Sequence, residues 1–292
     1  MKRVLIHNLK GGEILAQEIF DARGVQWLAK GTTYKESYRN KLGELGIKDL
    51  YIQEDITTNN LVVKEDFDPE LLVSECKNLV RGQLVRFEKS GSINVFKFEK
   101  LVFTIVNEVL KSKNVIENLY HIKKYNKYTY EHSVNVTVIG IMIAREMDLS
   151  QFEIYEIAMG CILHDLGKIQ ISEEIINKPA TLTEEEFTKI KEHPLDGYNI
   201  VKDNKRVSKN IKEIILTHHE KLDGSGYPLG ISGSQISIGA RICAVADVFD
   251  AMCSERPYKM PVPFAESIRT IKTSMNKQLD MEVCGVLEEV LR

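Results

Sequence analysis

The chain has 292 residues, of which 43% are hydrophobic and 28% are charged. These proportions are typical of a globular protein and argue against a disordered, collagen-like or coiled-coil chain. At about 150 residues per domain, the length fits two domains, or one large domain with an appendage. The net charge of −3 argues against a general DNA- or RNA-binding protein, although it is compatible with a local basic pocket.

The apolar segments are too short for membrane insertion. The longest, Val134 to Ala144, cannot provide the ~20 residues that a bilayer requires, so it predicts a buried helix and no membrane span. The apolar run at the N-terminus is too short for a signal peptide. The five cysteines form no CxxC pair, which predicts small buried thiols in a reducing compartment. We therefore expect a cytoplasmic protein.

The first 64 residues differ in pattern from the rest. Short apolar runs separated by glycine and asparagine predict a small β-rich module over 1–64, with one helix near Tyr34–Leu45 that ends at Gly46. Gly11 and Gly12 do not form a phosphate-binding loop, because no further glycine or Lys-Ser/Thr follows at the required distance. No residues of this segment have the spacing of a catalytic motif, so we expect a packing or regulatory module.

From Asp66 onward the pattern is helical. Pro69, between Asp68 and Glu70, predicts a helix start. The break at Ser90–Ser92 separates a helical connector, 65–95, from a catalytic segment, 96–292. A helical period of apolar residues follows at Phe98, Leu101, Val102, Ile105, Val106 and Val109. We predict further helices over Thr129–Met147, Ser150–His164, Thr183–Val201, Ser208–His218, Ile238–Cys253 and Phe264–Ser274, with a capping box from Thr183 to Glu186. The fold class is therefore mainly α, an all-helical bundle preceded by a small β-rich domain.

Histidines and aspartates in the helical segment are the strongest chemical signal. The candidate metal ligands are His132, His164, Asp165, His193, His218, His219 and Asp247. Imidazole and carboxylate groups together suit Fe or Mn, with Zn also compatible. The other two histidines, His7 and His121, have no other candidate ligands beside them in the sequence. We expect them at surface or packing positions.

Adjacent ligands suggest two metal ions rather than one. Neighbouring helical residues project about 100° apart, so His164 and Asp165 are better suited to two ions bridged by the Asp165 carboxylate. Such ions would lie roughly 3.5–4 Å apart and convert a shared water to hydroxide at neutral pH. One ion would take His132, His164, Asp165 and Asp247, and the other Asp165, His193, His218 and His219. If the helix continued beyond His164, Lys168 would share its face and could bind an anion, whereas a solvated surface lysine is the alternative.

The motifs resemble those of a known family. His164-Asp165 matches the dyad of the HD superfamily of metal-dependent phosphohydrolases, and the run from His218 to Pro228 (HHEKLDGSGYP) matches its HD-GYP branch. Further matches are HDLGKI from His164, the segment from Lys178-Pro179 to His193-Pro194, Ala240–Ala251 and RPYK from Arg256. The resemblance covers roughly Leu101–Leu291.

The resemblance implies a phosphodiesterase that hydrolyses cyclic di-GMP to pGpG, GMP or both through a metal-bridging hydroxide. It assigns the seven residues above as metal ligands, and Asp165 and Lys168 as catalytic. It implies that Lys168 contacts one substrate phosphate and that Arg256 and Lys259 bind the other. Some members bind a third ion through a glutamate where this chain has Tyr128, so two ions are predicted. Fe or Mn is favoured, and Zn, Co or Ni would also fit.

The GYP loop has two interpretations that the sequence leaves open. Its turn residues could simply hold His218 and His219 in place, or Tyr227 could contact the nucleotide. Rival functions are hydrolysis of another cyclic dinucleotide or of a nucleotide, a non-catalytic cyclic di-GMP receptor, and docking of a protein partner through this loop. Homo-oligomer formation is also open.

Overall fold

The structure is a computed structural model that describes residues 2–15, 19–20, 26–29, 31–44, 47, 49–52, 78–79, 82–83, 86–87, 89–111, 130–176, 178, 180–254 and 261–291. The chain divides into two compact units, Met1–Glu65 and Asp66–Arg292. Each unit has its own core of buried apolar residues.

The N-terminal unit contains short strands and one short helix. Strand β1 (Lys2–Leu5) pairs with β4 (Asp49–Ile52) in an antiparallel sheet, and β2 (Ile19–Phe20) pairs with β3 (Gln26–Leu28). Helix α1 spans Arg39–Glu44. Strands of two to four residues in two-stranded sheets do not make this unit a β-rich domain, and that part of the prediction is not supported.

The second unit is helical, as predicted. Its helices with described bounds are α2 (Val95–Lys111), α3 (Tyr130–Glu146), α4 (Gln151–Leu163), α5 (Glu173–Ile176), α6 (Glu184–Lys191), α7 (His193–Val201), α8 (Lys209–Thr217), α9 (Ile238–Cys253), α10 (Phe264–Ser274) and α11 (Met281–Val290). A 3₁₀ turn spans Leu166–Gln170.

Helix α4 lies at the centre of this unit. It contacts α2, α3, α8 and α9. Of the ten residues from Ile154 to Leu163 in α4, all but Tyr155 are buried. Gly160 allows α8 to approach, because a methyl group there would lie 2.6 Å from the Ile214 side chain. Since α4 is enclosed by other helices, its C-terminal end is fixed in the interior.

Helix positions agree closely with the apolar periodicity. Three features are as predicted: the apolar face of α2, the buried run Val134–Ala144 in α3, and the bounds of α9 and α10. The described cysteines are also buried. The Thr183–Glu186 capping box is present. Among the described residues, no helix is both long and apolar enough to cross a membrane. The predicted helix start at Pro69 and the residues Cys76 and His121 lie outside the described residues.

One local prediction was wrong, and the condition attached to another is not met. The single helix expected over Thr183–Val201 is two helices that meet at Glu192, because Pro194 lies in the first turn of α7 and cannot donate a backbone hydrogen bond. The helix ending at His164 does not continue to Lys168 but changes to the 3₁₀ turn. Helix α11, with Asp280 as its N-cap, was not predicted.

Candidate metal centre

The seven predicted ligands lie at helix ends or on buried helix faces. His132 is in the first turn of α3, and Asp247 is on the buried face of α9. The others flank helix termini: His164 and Asp165 follow α4, His193 begins α7, and His218 and His219 follow α8. Because α3, α8 and α9 contact α4, and α7 contacts the 3₁₀ turn that follows it, residues distant in sequence meet at one place.

Three buried histidines are oriented by their own backbone. The Nδ1 atoms of His164, His193 and His218 lie 2.6–2.9 Å from the carbonyl oxygens of the residues three positions earlier, which are Cys161, Ile190 and Ile215. A carbonyl oxygen only accepts hydrogen bonds, so Nδ1 carries the hydrogen in each ring. In the neutral rings the lone pair is therefore on Nε2, which is the atom available to a metal.

These Nε2 atoms face one another rather than a donor. His193 Nε2 lies 3.2 Å from His218 Nε2, and both carry lone pairs in the neutral rings. His164 Nε2 is buried with no hydrogen-bond partner in the described part of the chain. Buried polar atoms are nearly always paired. A cation would satisfy these converging lone pairs, so the site fits a metal ion.

The Asp165 carboxylate reaches two sides of the cluster. Its Oδ2 lies 3.4 Å from His164 Nε2 and 3.9 Å from His132 Nε2, whereas its Oδ1 lies 3.3 Å from His193 Nε2. Lys168 Nζ donates a 2.7 Å hydrogen bond to Oδ2. Burial alone would raise the pKa of Asp165, but the neighbouring His164 and Lys168 hold that pKa well below its usual value. The carboxylate is therefore charged at neutral pH.

His132 lies between two carboxylates of α9. Its Nε2 lies 3.0 Å from Asp247 Oδ1, and its Nδ1 lies 2.8 Å from Asp250 Oδ2. Burial opposes protonation, but the hydrogen bonds with Asp247 and Asp250 outweigh it and raise the pKa of His132 to about 10. The same contacts lower the pKa of Asp247. This side of the cluster therefore favours a positive charge, which a metal ion would also supply.

Three of the other imidazoles favour their neutral form. Burial lowers the pKa of His193 to about 4 and that of His219 to about 3, and it lowers the pKa of His218 well below its usual value. Neutral imidazole is the form that binds metals. Ligand atoms within 4.8 Å of one another form three groups: His193 with His218 and His219, His132 with His164 and Asp247, and His164 with Asp165 and His218. All seven predicted ligands are thus brought together.

Tyr227 packs directly on this cluster. Its ring lies 4.8 Å from that of His219, at an angle of 32°, and its amide donates to the His219 carbonyl oxygen at 3.3 Å. Glu220 also closes the GYP loop by accepting from the amides of Leu229 and Gly230 at 2.6 and 3.1 Å. Both contacts connect the loop to the residues that follow α8.

Three predicted residues, Arg256, Lys259 and Tyr128, lie outside the described residues. Asp250 lies within the Ala240–Ala251 match and was not predicted as a site residue, although it contacts His132. The available signal was an aspartate three residues after Asp247 in an apolar helix, because such spacing places both carboxylates on one face.

The fold and the cluster together define a helical domain with a buried histidine–aspartate cluster that fits a metal ion. The family model described as "HD domain" matches residues 114–283, which is more than half of the chain. The chain therefore belongs to the HD domain family, in agreement with the HD-GYP motifs of its sequence.

Curated relatives extend this comparison. The chain is 37% identical over 213 residues to a cyclic di-GMP phosphodiesterase of Pseudomonas aeruginosa, with coverage of 73% of this chain and 51% of the relative. It is 34% identical over 166 residues to a 3′3′-cGAMP-specific phosphodiesterase of Vibrio cholerae, with coverage of 56% and 35%. The chain thus spans about half the length of the first relative and about a third of the second.

A solved structure has the same fold. The HDG"Y"P protein Bd1817 from Bdellovibrio bacteriovorus aligns over 99% of both chains with a TM-score of 0.64 and 17% sequence identity. At this identity the likeness establishes the fold alone.

Proposed function

We propose that this chain is a metal-dependent phosphodiesterase that hydrolyses cyclic di-GMP to pGpG, GMP or both. The observation that carries the proposal is the convergence of the buried His164, His193 and His218 Nε2 atoms beside Asp165. The cyclic di-GMP phosphodiesterase of Pseudomonas, 37% identical, supports this substrate.

We propose two metal ions, each held on one side of Asp165. Asp165 Oδ2 would join His132, His164 and Asp247 around one ion, and Oδ1 would join His193, His218 and His219 around the other. Iron or manganese suits this set of nitrogen and oxygen ligands, and Zn, Co or Ni would also fit. When bound, such ions supply Lewis acidity to a phosphate and lower the pKa of water.

The protein residues would bind and orient the phosphodiester. Lys168 is partly exposed and close to Asp165, so its ammonium group could neutralise charge on the scissile phosphate. Arg256 and Lys259 would bind the second phosphate, where an arginine can form paired hydrogen bonds. Hydrolysis of one P–O bond would release the 3′ oxygen and give linear pGpG, and hydrolysis of the remaining internucleotide bond would give GMP.

Removal of the Lys168 charge should mainly affect turnover. We expect Lys168→Met to lower kcat for cyclic di-GMP by about 10²-fold, because a charge that stabilises the transition state is lost. Steady-state kinetics with metal content measured in parallel would check this. Lys202→Met, at an exposed lysine after α7, is the control. An unchanged kcat in the Lys168 variant would assign Lys168 to the surface alternative.

Variants of Tyr227 should separate the two interpretations of the GYP loop. Because its ring packs on His219, we expect Tyr227→Phe to retain activity within about twofold and Tyr227→Ala to lose about fivefold, as aromatic contacts contribute ~1 kcal/mol. The measurement is kcat/KM for both variants. An equal loss in Phe and Ala would instead indicate that the hydroxyl contacts the nucleotide.

Competition between substrates tests the proposed activity itself. The protein would be purified anaerobically and its metals quantified. It would then be given cyclic di-GMP, cyclic GMP-AMP and mononucleotides in one reaction, and the products would be separated by chromatography. We expect preferential loss of cyclic di-GMP with formation of pGpG or GMP. Preference for cyclic GMP-AMP would support the alternative suggested by the Vibrio relative, and binding without turnover would indicate a receptor.

The remaining sequence-based assignments stay predictions. We propose a module over 1–64, a connector over 65–95 and a catalytic domain over 96–292. A cytoplasmic location, protein partners at the GYP loop and homo-oligomer formation also await experiment.

A further inference from the structure

We propose that Asp250 is a positioning residue that holds the His132 ring so that its Nε2 atom faces Asp247 and the metal centre. This inference rests on the metal centre proposed above. It concerns a residue that would not itself touch the metal ions or the substrate, because its described contacts lie on the opposite side of the ring.

Among the described residues, His132 Nδ1 meets a side chain and not a backbone carbonyl oxygen. His164, His193 and His218 each donate from Nδ1 to a carbonyl oxygen three residues earlier in the chain. His132 is near the start of α3, and its Nδ1 instead contacts the Asp250 carboxylate, 118 residues away in sequence. Its ring orientation thus depends on the packing of α3 against α9.

Two carboxylates on one face of α9 bracket the His132 ring. Asp247 Oδ1 lies 3.0 Å from Nε2, and Asp250 Oδ2 lies 2.8 Å from Nδ1. Residues three apart are neighbours on a helix, so both contacts come from one turn of α9. His164, another potential metal ligand, lies with Asp247 on the Nε2 side of the His132 ring. The two carboxylates therefore have different tasks despite their similar distances.

Asp250 is itself held in place from α3. Its side chain is fully buried, and its Oδ1 accepts a 3.0 Å hydrogen bond from Asn135 Nδ2. His132 and Asn135 are three residues apart on α3 and thus contact the same carboxylate. This pair of hydrogen bonds fixes the rotamer of Asp250, and with it the plane of the His132 ring.

The contact also selects the form of the ring that binds a metal. An ionised carboxylate accepts but does not donate, so the hydrogen between Asp250 and His132 belongs to Nδ1. Nε2 is then the atom left for a metal ion, which would displace the second proton of the protonated ring. A carboxylate behind a metal-binding histidine makes the ligand more basic, and its loss typically weakens metal binding about 10–100-fold.

A titration of the metal-free chain with Mn²⁺ tests this role without an activity assay. Equilibrium dialysis would compare the wild type with Asp250→Ala, Asp250→Asn, His132→Ala and the double variant His132→Ala/Asp250→Ala. We expect Asp250→Ala to weaken Mn²⁺ affinity about 10–100-fold, and Asp250→Asn to weaken it less because its amide oxygen can still accept from Nδ1. With His132 removed, Asp250→Ala should cause no further loss, since the group it positions is absent.

The matched control is Glu156→Gln. Glu156 is also a buried carboxylate held by an asparagine, since it accepts from Asn210 at 2.7 Å, and it is not one of the candidate ligands. This variant should keep the Mn²⁺ affinity of the wild type. Circular dichroism would establish that each variant is folded. If Asp250→Ala does not fold, the same comparison is made with Asp250→Asn, alone and with His132→Ala.

The outcomes separate this inference from the proposed function. An unchanged Mn²⁺ affinity in the folded Asp250 variants would overturn the positioning role, as would an equal loss with and without His132. If the wild type bound no Mn²⁺, Fe²⁺ or Zn²⁺, the metal centre itself would be refuted and the role of Asp250 with it. Non-additive loss in a metal-binding wild type would support both.

Discussion

Replacement of Asp165 with asparagine is expected to lower the turnover of cyclic di-GMP by at least about 10³-fold, a loss typical of residues in a catalytic unit. The two carboxylate oxygens face different histidines, with Oδ2 toward His164 and His132 and Oδ1 toward His193. Asparagine has the same shape but replaces one oxygen with a donor and removes the charge. It therefore cannot offer lone pairs to both sides of the cluster.

Measurements on this variant should separate chemistry from folding. We expect metal content to fall while far-UV circular dichroism remains that of the wild type, because Asp165 lies just after α4 and outside its helical hydrogen bonds. Glu156→Gln, a change of a buried carboxylate outside the cluster, should keep both activity and metal content. Full activity of a metal-loaded Asp165→Asn variant would refute the assignment of Asp165 as the bridging ligand.

Replacement of Gly167 with alanine is expected to destabilise the chain by about 3 kcal/mol, the upper part of the range for overpacking. The 3₁₀ turn lies directly on the first turn of α7. An added methyl group would overlap the His193 carbonyl oxygen and lie 2.5 Å from the Gly197 amide nitrogen. These are backbone atoms, so relief requires movement of the whole turn away from α7.

The same movement should affect the metal centre, because it would separate Asp165 from His193. We expect the thermal midpoint to fall by roughly 6–12 °C, since ~1 kcal/mol shifts a chain of this size by about 2–4 °C. Differential scanning calorimetry and Mn²⁺ binding would measure both effects. The control is Gly285→Ala in α11, where a methyl group meets no atom within 4 Å and removal of a helical glycine should stabilise by up to ~1 kcal/mol. Equal midpoints for the two variants would contradict the close-packing argument.

Local sequence determined most of the helices. The apolar face from Phe98 to Val109 is buried in α2, and Thr183 caps α6 as its spacing with Glu186 predicts. Such features depend on residues three or four positions apart, which lie together on any helix. For the same reason Pro194 is a local signal for the start of a new helix, since its effect on hydrogen bonding depends on neighbouring residues alone.

The sequence also determined the chemical types at the proposed metal centre. Five imidazoles and two carboxylates were identified from their motifs, and the described residues include all seven in one cluster. The types of ligand limit the metals that fit, because affinity follows donor chemistry. This limit on the metal follows from the residue types alone and does not depend on the tertiary structure.

Only the tertiary structure decided how these groups are oriented and supported. The 3.2 Å approach of His193 and His218 Nε2, and the contact between Asp250 and His132, join residues from different helices. The close approach of Gly167 to α7 likewise depends on how the turn after α4 packs. Such contacts arise from the packing of several helices at once, and no local spacing in the chain encodes them.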